Sequence, residues 1–316
     1  MQVINLHHPY QATKIVQAPI VLAMGFFDGV HVGHRAVIAR AQAEAKARGV
    51  KLAVLTYDQH ASVVFEKHGN PLQYLTTLPR KLELFAELGV DITYVVNFTS
   101  AFAKLEPQAF VDQYMAGLNA VAVVAGFDHT YGPKDQANMT NLPTYAAGRF
   151  EVIEVPAVLL AGVESASRQA RQLVDDGKIE QLNQMLTIPY QTSGVIVHGD
   201  ARGRELGYPT LNIETTSGER LPAGGVYVTS VQIDGVWYQG MGQIGYNVTF
   251  GAGRAQTVEI NVFNFNQEVY GERVRVNWHQ YLRGEVKFTG VEALIAQLQN
   301  DQAAAQLFFA TQNIEE

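Results

Sequence analysis

From Ile20 to Val155, short apolar runs alternate with longer stretches whose apolar positions recur at helical spacing. Ile20–Phe26 is apolar throughout and reads as a buried parallel strand, while Gly33–Arg48, rich in alanine and followed by Gly49, reads as a helix with a glycine stop. The order then repeats through strand Leu52–Tyr57, helix Leu78–Leu88 before Gly89, strand Ile92–Phe98, helix Pro107–Leu118, strand Val121–Ala125 and strand Phe150–Val155. Such alternation predicts a parallel sheet covered on both faces, with ligands at the carboxyl ends of its strands. Helices over Arg168–Asp175 and Ile179–Leu186 follow, and the proline of Thr187-Ile188-Pro189-Tyr190 marks a linker. Beyond it, strands are separated by Gly, Asn and Asp turns, with one clear helix from Val291 to about Ala310. That texture predicts a small antiparallel barrel capped by a helix. The expected domains are residues 1–187 and 188–316.

Length and composition agree with two globular domains: 316 residues are long for one core, and 47% of them are hydrophobic. The absence of cysteine excludes a disulfide framework, thiol catalysis and a zinc site of cysteine type, and is compatible with a reducing cytoplasm. A formal net charge of -7 is opposite to the footprint of a protein that tracks phosphate backbones, so nucleic acid is not an expected partner. The first residues, MQVINLHHPYQATKIVQ, lack a basic region followed by an apolar core. Neither a secretory signal nor a membrane span is expected, and a cytoplasmic location is.

Chemistry concentrates in two stretches. Ser193–Asn212 runs from a β-branched strand, Val195-Ile196-Val197, through a turn carrying Gly199, Asp200, Arg202, Gly203, Arg204 and Gly207, and closes on Pro209-Thr210-Leu211-Asn212. Glycines let backbone approach an anion, and the arginines offer forked donors to its oxygens. Thr210 and Asn212 supply hard oxygens of the kind that Mg²⁺ accepts beside nucleotide phosphates. A hairpin loop with ordinary surface arginines fits the same residues.

The second stretch, Gly25-Phe26-Phe27-Asp28-Gly29-Val30-His31-Val32-Gly33-His34, lies where the first long strand meets the first helix. Its glycines match neither the dinucleotide fingerprint nor a P-loop. His31 and His34, three apart at a helix start, can project toward one anion, where the helix terminus already favours negative charge. Two histidines there could stabilise charge growing on an α-phosphate as a nucleophile displaces pyrophosphate. A metal pair or two half-buried histidines are the alternatives.

Both stretches resemble modules of the bacterial bifunctional riboflavin kinase/FMN adenylyltransferases, also called FAD synthetases. The first is similar to the riboflavin kinase module, and the likeness continues through Leu221-Pro222-Ala223-Gly224-Gly225-Val226-Tyr227, Ile244-Gly245-Tyr246-Asn247, Val258-Glu259-Ile260, Asn266-Gln267-Glu268-Val269-Tyr270-Gly271 and Leu282-Arg283. The second resembles the G-x-F-D-G-x-H-x-G-H signature of the adenylyltransferase module, and Gly126-Phe127-Asp128-His129-Thr130-Tyr131-Gly132 is similar to the family loop after a later strand. The resemblance implies a Rossmann-like nucleotidyltransferase domain followed by a β-barrel kinase domain. It also implies phosphorylation of riboflavin to FMN by ATP, then adenylylation of FMN to FAD with release of pyrophosphate.

By the same resemblance Glu259 is the kinase's general base, and Thr210 and Asn212 hold Mg²⁺. The glycine-loop residues, Pro209, Asn247 and Arg283 bind nucleotide or flavin. In the other half His31 and His34 are catalytic, and Gly25, Phe27, Asp28, Gly33, His60, Asp128, Ser167 and Arg171 line the site. The chain departs from the family pattern in places. Thr56-Tyr57-Asp58-Gln59-His60-Ala61 keeps His60 but lacks two prolines, and Ser165-Ala166-Ser167-Arg168-Gln169-Ala170-Arg171 carries Ala166 and Arg168 where the family has hydroxyl residues. Arg168 either takes over phosphate contacts or is a solvated helix residue. In the kinase half, Val248 stands for a family proline. The competing function is a riboflavin kinase whose altered amino-terminal domain transfers AMP weakly or not at all and serves as a flavin- or nucleotide-binding regulatory module.

Overall fold

The computed structural model describes residues 1–66, 72–160, 162–199, 202–246 and 256–312. The chain divides into two compact units, one of residues 1–72 and 76–167 and the other of residues 73–75 and 168–316.

In the first unit β1 (Gln2–Leu6), β2 (Ile20–Met24), β3 (Lys51–Tyr57), β4 (Ile92–Val96), β5 (Ala120–Gly126) and β6 (Glu151–Val155) form a sheet in the order β1-β4-β3-β2-β5-β6, with every pair parallel. The helices α1 (Val32–Arg48), α2 (Ser62–Phe65), α3 (Leu78–Glu87), α4 (Ser100–Ala103), α5 (Pro107–Tyr114) and α6 (Leu142–Ala146) lie between the strands in sequence. The two-residue strands β7 (Leu159–Leu160) and β8 (Val163–Glu164) pair with each other after β6. Strand side chains alternate between faces. Ile20, Leu22 and Met24 of β2 pack in one core with Phe110, Val111 and Tyr114 of α5, whereas Val21 and Ala23 are buried on the opposite face, over which α1 lies. Burial on both faces is why β2 reads as an unbroken apolar run. The order reverses at β2: β3 and β4 lie on one side and β5 on the other. A reversal of this kind opens a crevice at the strands' carboxyl ends. Here that crevice belongs to the loops after β2 and β5, which are the two segments carrying His31 and Asp128.

One strand of the parallel sheet lay outside the expectation, as did the short β7 and β8. Gln2–Leu6 pairs with Ile92–Val96 at the sheet edge, and its alternating burial over only five residues gives little pattern to read.

The second unit takes in α7 (Ser167–Asp175) from Arg168 onward and α8 (Ile179–Leu186), and continues into a closed antiparallel barrel. Its strands are β9 (Tyr190–Val197), β10 (Leu211–Thr215), β11 (Gly225–Ile233), β12 (Val236–Tyr246), β13 (Gln256–Val262) and β14 (Arg273–Arg283), joined in the order β10-β13-β12-β11-β14-β9. A four-residue helix, α9 (Arg202–Glu205), lies between β9 and β10, and α10 (Val291–Gln312) follows the barrel. Strict alternation along β9 sends Tyr190, Thr192, Gly194 and Ile196 inward. Trp278 is wholly buried and its indole N–H donates to Thr192 Oγ1 at 2.9 Å. Ala305 and Phe309 of α10 close a second core with Val228, Met241 and Phe263.

Six side chains of α7 and α8, namely Ala170, Val174, Ile179, Leu182, Met185 and Leu186, belong to the same buried cluster as Tyr190 and Trp278 of the barrel. A fragment starting at Arg168 is therefore expected to unfold cooperatively in urea, and one starting at Tyr190 to have a much lower midpoint. Uncovering a buried Leu, Ile or Met costs about 1.5–3 kcal/mol each. Equal midpoints for the two fragments would show that these helices do not support the barrel.

Candidate active sites

After β2 the backbone turns through Phe27 (φ 57°), Gly29 (φ 85°) and Val30 (φ 43°), three left-handed residues out of four. Asp28 sits among them, 1% exposed, its Oδ1 accepting from the Thr76 N–H at 3.1 Å. His31 then caps α1 with extended backbone and a buried ring. His31 and His34 are stacked with centroids 3.7 Å apart, and the edge of Phe27 meets His34 at 5.2 Å. Gly33 lets this happen, since a Cβ there would press on the His31 ring at 3.1 Å and the Ser165 carbonyl at 3.3 Å. A Cβ at Gly25 would run into the Phe27 ring in the same way.

Two serines hold His31. Ser165 Oγ lies 3.1 Å from Nδ1, and Ser167 Oγ lies 3.3 Å from Nε2. Ser167 Oγ donates its one proton to the Asp28 carbonyl at 3.1 Å. It must then accept from His31, which assigns the ring proton to Nε2 and leaves Nδ1 to accept from Ser165. Burial pushes the His31 pKa down to about 4 against the opposing fields of Asp28 and Asp128, so the ring is neutral at pH 7. Its Nε2–H is a donor resting on a hydroxyl that a phosphate oxygen can replace.

The other expected residues of this unit fall around the same loop. Asp128 follows β5 and acts on His31 through its charge. His60 accepts from the Ser62 N–H through Nδ1 and meets the Phe26 ring edge-on at 5.2 Å. The segment that lacks the family prolines is held by side chains instead. Asp58 accepts from Asn97 Nδ2 at 2.8 Å and from the Phe98 N–H at 2.9 Å, and Gln59 Nε2 donates to the Phe98 carbonyl at 2.8 Å. Arg168 and Arg171, on α7, are counted with the second unit. Two contributors were missed in the sequence. Ser165 carried no signal beyond its position in the Ser165–Arg171 segment, and Lys81, whose Nζ donates to the Phe26 carbonyl, reads as an ordinary surface residue of an amphipathic helix.

The barrel site forms on the outer face of β10 and β13. Val258 and Ile260 turn into the core, which leaves Glu259 exposed. Asn212 is its cross-strand partner, and Thr210 Oγ1 lies 3.5 Å from Glu259 Oε2. Two glycines wrap these groups. A Cβ on Gly199 would overlap the Asn212 amide, and one on Gly203 would overlap the Tyr208 carbonyl while sitting 3.6 Å from Thr210 Oγ1. Pro209 is anchored through its carbonyl by Asn261 Nδ2 at 2.7 Å. Gly207 turns the chain at φ 81°, and Arg204 is exposed on α9. The guanidinium of Arg283 is bound by Asp301 of α10, 4% exposed, with Nε–Oδ1 and Nε–Oδ2 at 3.0 Å and Nη2–Oδ2 at 2.6 Å. Asn247 and the side chain of Arg202 lie outside the described residues.

Thus one unit presents a neutral histidine donor at a helix start, and the other a carboxylate beside a hydroxyl, an amide and a glycine loop. Comparison with known proteins finds two families along the chain, in that order. Residues 13–169 match the FAD synthetase family and residues 186–309 the riboflavin kinase family. A bifunctional riboflavin kinase/FMN adenylyltransferase of Listeria monocytogenes is 45% identical over 98% of this chain and 99% of that protein. The chain belongs to the bifunctional riboflavin kinase/FMN adenylyltransferase family. The Bacillus subtilis protein of that name is 37% identical over 98% of this chain and 99% of its own. A Streptococcus pneumoniae crystal structure named as a macrolide-efflux protein superposes with a TM-score of 0.89 at 33% identity, covering 96% of this chain and 99% of that one. Among the described residues of the present chain, no helix is long and apolar enough to cross a membrane.

Proposed function

We propose that the family's two activities are divided between the two sites, with the barrel phosphorylating riboflavin to FMN and the parallel-sheet unit adenylylating FMN to FAD. ATP is co-substrate in both steps and pyrophosphate leaves in the second. The convergence of Glu259, Thr210 and Asn212 under Gly199 and Gly203 carries the first assignment.

In the barrel Glu259 takes the proton of the riboflavin 5′-hydroxyl as that oxygen attacks the γ-phosphorus of ATP and the bond to the β–γ bridging oxygen breaks to release ADP; the proton transfer requires only a carboxylate within hydrogen-bond reach. The glycine loop supplies close backbone approach to the phosphates, and Arg204 a forked donor. A hydroxyl and an amide oxygen beside one carboxylate form a hard-oxygen set that fits Mg²⁺, an ion that keeps several waters and takes its remaining ligands from substrate phosphates. Thr210 and Asn212 would hold it, and when bound it neutralises charge on the transferring phosphoryl group. Arg283 acts through Asp301, fixing the end of β14 against α10.

In the parallel-sheet unit an FMN phosphate oxygen attacks the α-phosphorus of ATP. The Nε2–H of His31 moves from Ser167 to the oxygen on which charge grows, and Ser165 keeps the ring oriented through Nδ1. Asp128 closes the other side of the strand-order reversal, and Arg171 is assigned to the triphosphate.

We place the enzyme in the cytoplasm, where ATP is produced; the lack of cysteine suits that compartment, and the net charge of -7 disfavours nucleic acid as a partner. Incubation with riboflavin, Mg²⁺ and ATP, followed by chromatography, is expected to show FMN first and FAD later. FMN alone under every condition would favour a kinase with a regulatory amino-terminal unit, and neither product would dismiss both assignments.

A further inference from the structure

The amino-terminal unit buries a cation that the chemistry above leaves unused. Lys81 of α3 is 2% exposed, its Nζ donates to the Phe26 carbonyl at 2.7 Å, and the same nitrogen stands 4.0 Å from the centroid of the Phe26 ring. Thr56 Oγ1, near the end of β3, donates to that carbonyl as well, at 3.0 Å. An ammonium withdrawn from water is costly, and helix lysines ordinarily reach out to solvent. A methionine would fill the same slot beside Leu84 and Phe85 without that cost.

What the carbonyl begins explains the expense. Phe26 precedes the turn of left-handed Phe27, Gly29 and Val30, and that turn ends at His31. Within it, the Asp28 carbonyl receives Ser167, the hydroxyl that also accepts from His31 Nε2. Strained backbone of this kind persists only where its surroundings over-determine it. Two donors on Phe26, one of them charged, fix where the turn starts, as the two serines fix where it stops.

We infer that Lys81 is a positioning residue for adenylyl transfer, its charged ammonium pinning the Phe26 carbonyl so that the Gly25–His31 turn presents the His31 donor to the nucleotide. The inference rests on the reading of this unit as the FMN adenylyltransferase. Charge makes the device dependent on pH. Burial pushes the Lys81 pKa down from its ordinary value to about 8, outweighing the fields of Asp28 and Asp58, which are the charged groups facing it from the loops after β2 and β3. The ammonium is therefore present below about pH 8 and lost above it. His31, held near 4, does not change charge in that window.

The test measures FAD formation from FMN, and FMN formation from riboflavin, in the full chain between pH 6.5 and 9.5 (about the range in which a lysine of this kind titrates). Wild-type FAD formation is expected to fall above about pH 8. Lys81→Met should lower FAD formation at pH 7 by roughly 10- to 100-fold, the order expected for a misplaced reacting group, and should abolish the alkaline fall. FMN formation should stay within about twofold, and the melting temperature is measured beside each rate, since removing an ammonium that faces the buried Asp28 costs stability as well as placement. Lys81→Gln, which retains a donor for the Phe26 carbonyl without the charge, should recover part of the rate and also lack the alkaline fall.

Absence of an alkaline fall in the wild type would overturn the proposal without any variant. So would persistence of that fall in Lys81→Met, or loss of FAD formation only in step with melting temperature. Wild-type protein that makes no FAD from FMN at any pH would dismiss the adenylyltransferase reading itself. FAD made equally well by wild type and Lys81→Met would dismiss only the role of the lysine.

Discussion

Glu259→Gln is expected to form FMN from riboflavin roughly 10²- to 10⁴-fold more slowly than the parent, the usual worth of a general base, while making FAD from supplied FMN at the parental rate. The variant isolates one property. Glu259 is exposed on the outer face of β13, its neighbours Val258 and Ile260 carry the packing, and glutamine keeps an oxygen near Thr210 Oγ1. An exposed change of this kind typically moves stability by no more than about 0.5 kcal/mol, so lost rate cannot be lost fold. Parental FMN formation by the variant would remove Glu259 from the mechanism.

His31→Ala is expected to do the reverse, lowering FAD formation from FMN by about 10²- to 10³-fold, as loss of one preorganised donor to a developing oxyanion does, with riboflavin phosphorylation untouched. This variant carries a structural cost that must be measured beside the rate. Removing the ring takes away the partner of Ser165 Oγ, which is buried, and an orphaned buried hydroxyl costs about 1–3 kcal/mol. A melting curve therefore accompanies each assay, run well below the variant's transition. Normal FAD formation in folded His31→Ala would show that the stacked histidines are packing and not chemistry.

Strands buried on both faces announced themselves as apolar runs, so the parallel sheet was legible from Ile20, Leu52, Ile92 and Val121 onward, with small differences at the ends. Strand β1 was not, because an edge strand of five residues with only Ile4 and Leu6 buried lacks both length and a continuous apolar run. At the sites, residue types with one evident chemistry stood out: histidines three apart, a glycine-rich basic turn, Pro-Thr-x-Asn. Residues whose role depends on a distant partner did not. Nothing near Arg283 foretells Asp301, eighteen positions on, as its carboxylate. Lys81 resembles any helix lysine until the Phe26 carbonyl and ring are seen to enclose it. The serines at 165 and 167 illustrate the same point, since only the folded chain shows that they divide the two nitrogens of one imidazole between them.

The place of β1 also bears on how the chain is made. Its sole neighbour is β4, so Gln2–Leu6 leaves the ribosome with no strand to pair with until Ile92–Val96 has followed it. At a synthesis rate of roughly 5–20 residues per second, that wait lasts on the order of 5 to 20 seconds. Through it the nascent chain carries a segment with backbone donors and acceptors unmet and two apolar side chains, Ile4 and Leu6, uncovered. Of the six strands of this sheet β1 thus waits longest for a neighbour, and it is the stretch that a ribosome-associated chaperone would have most time to hold.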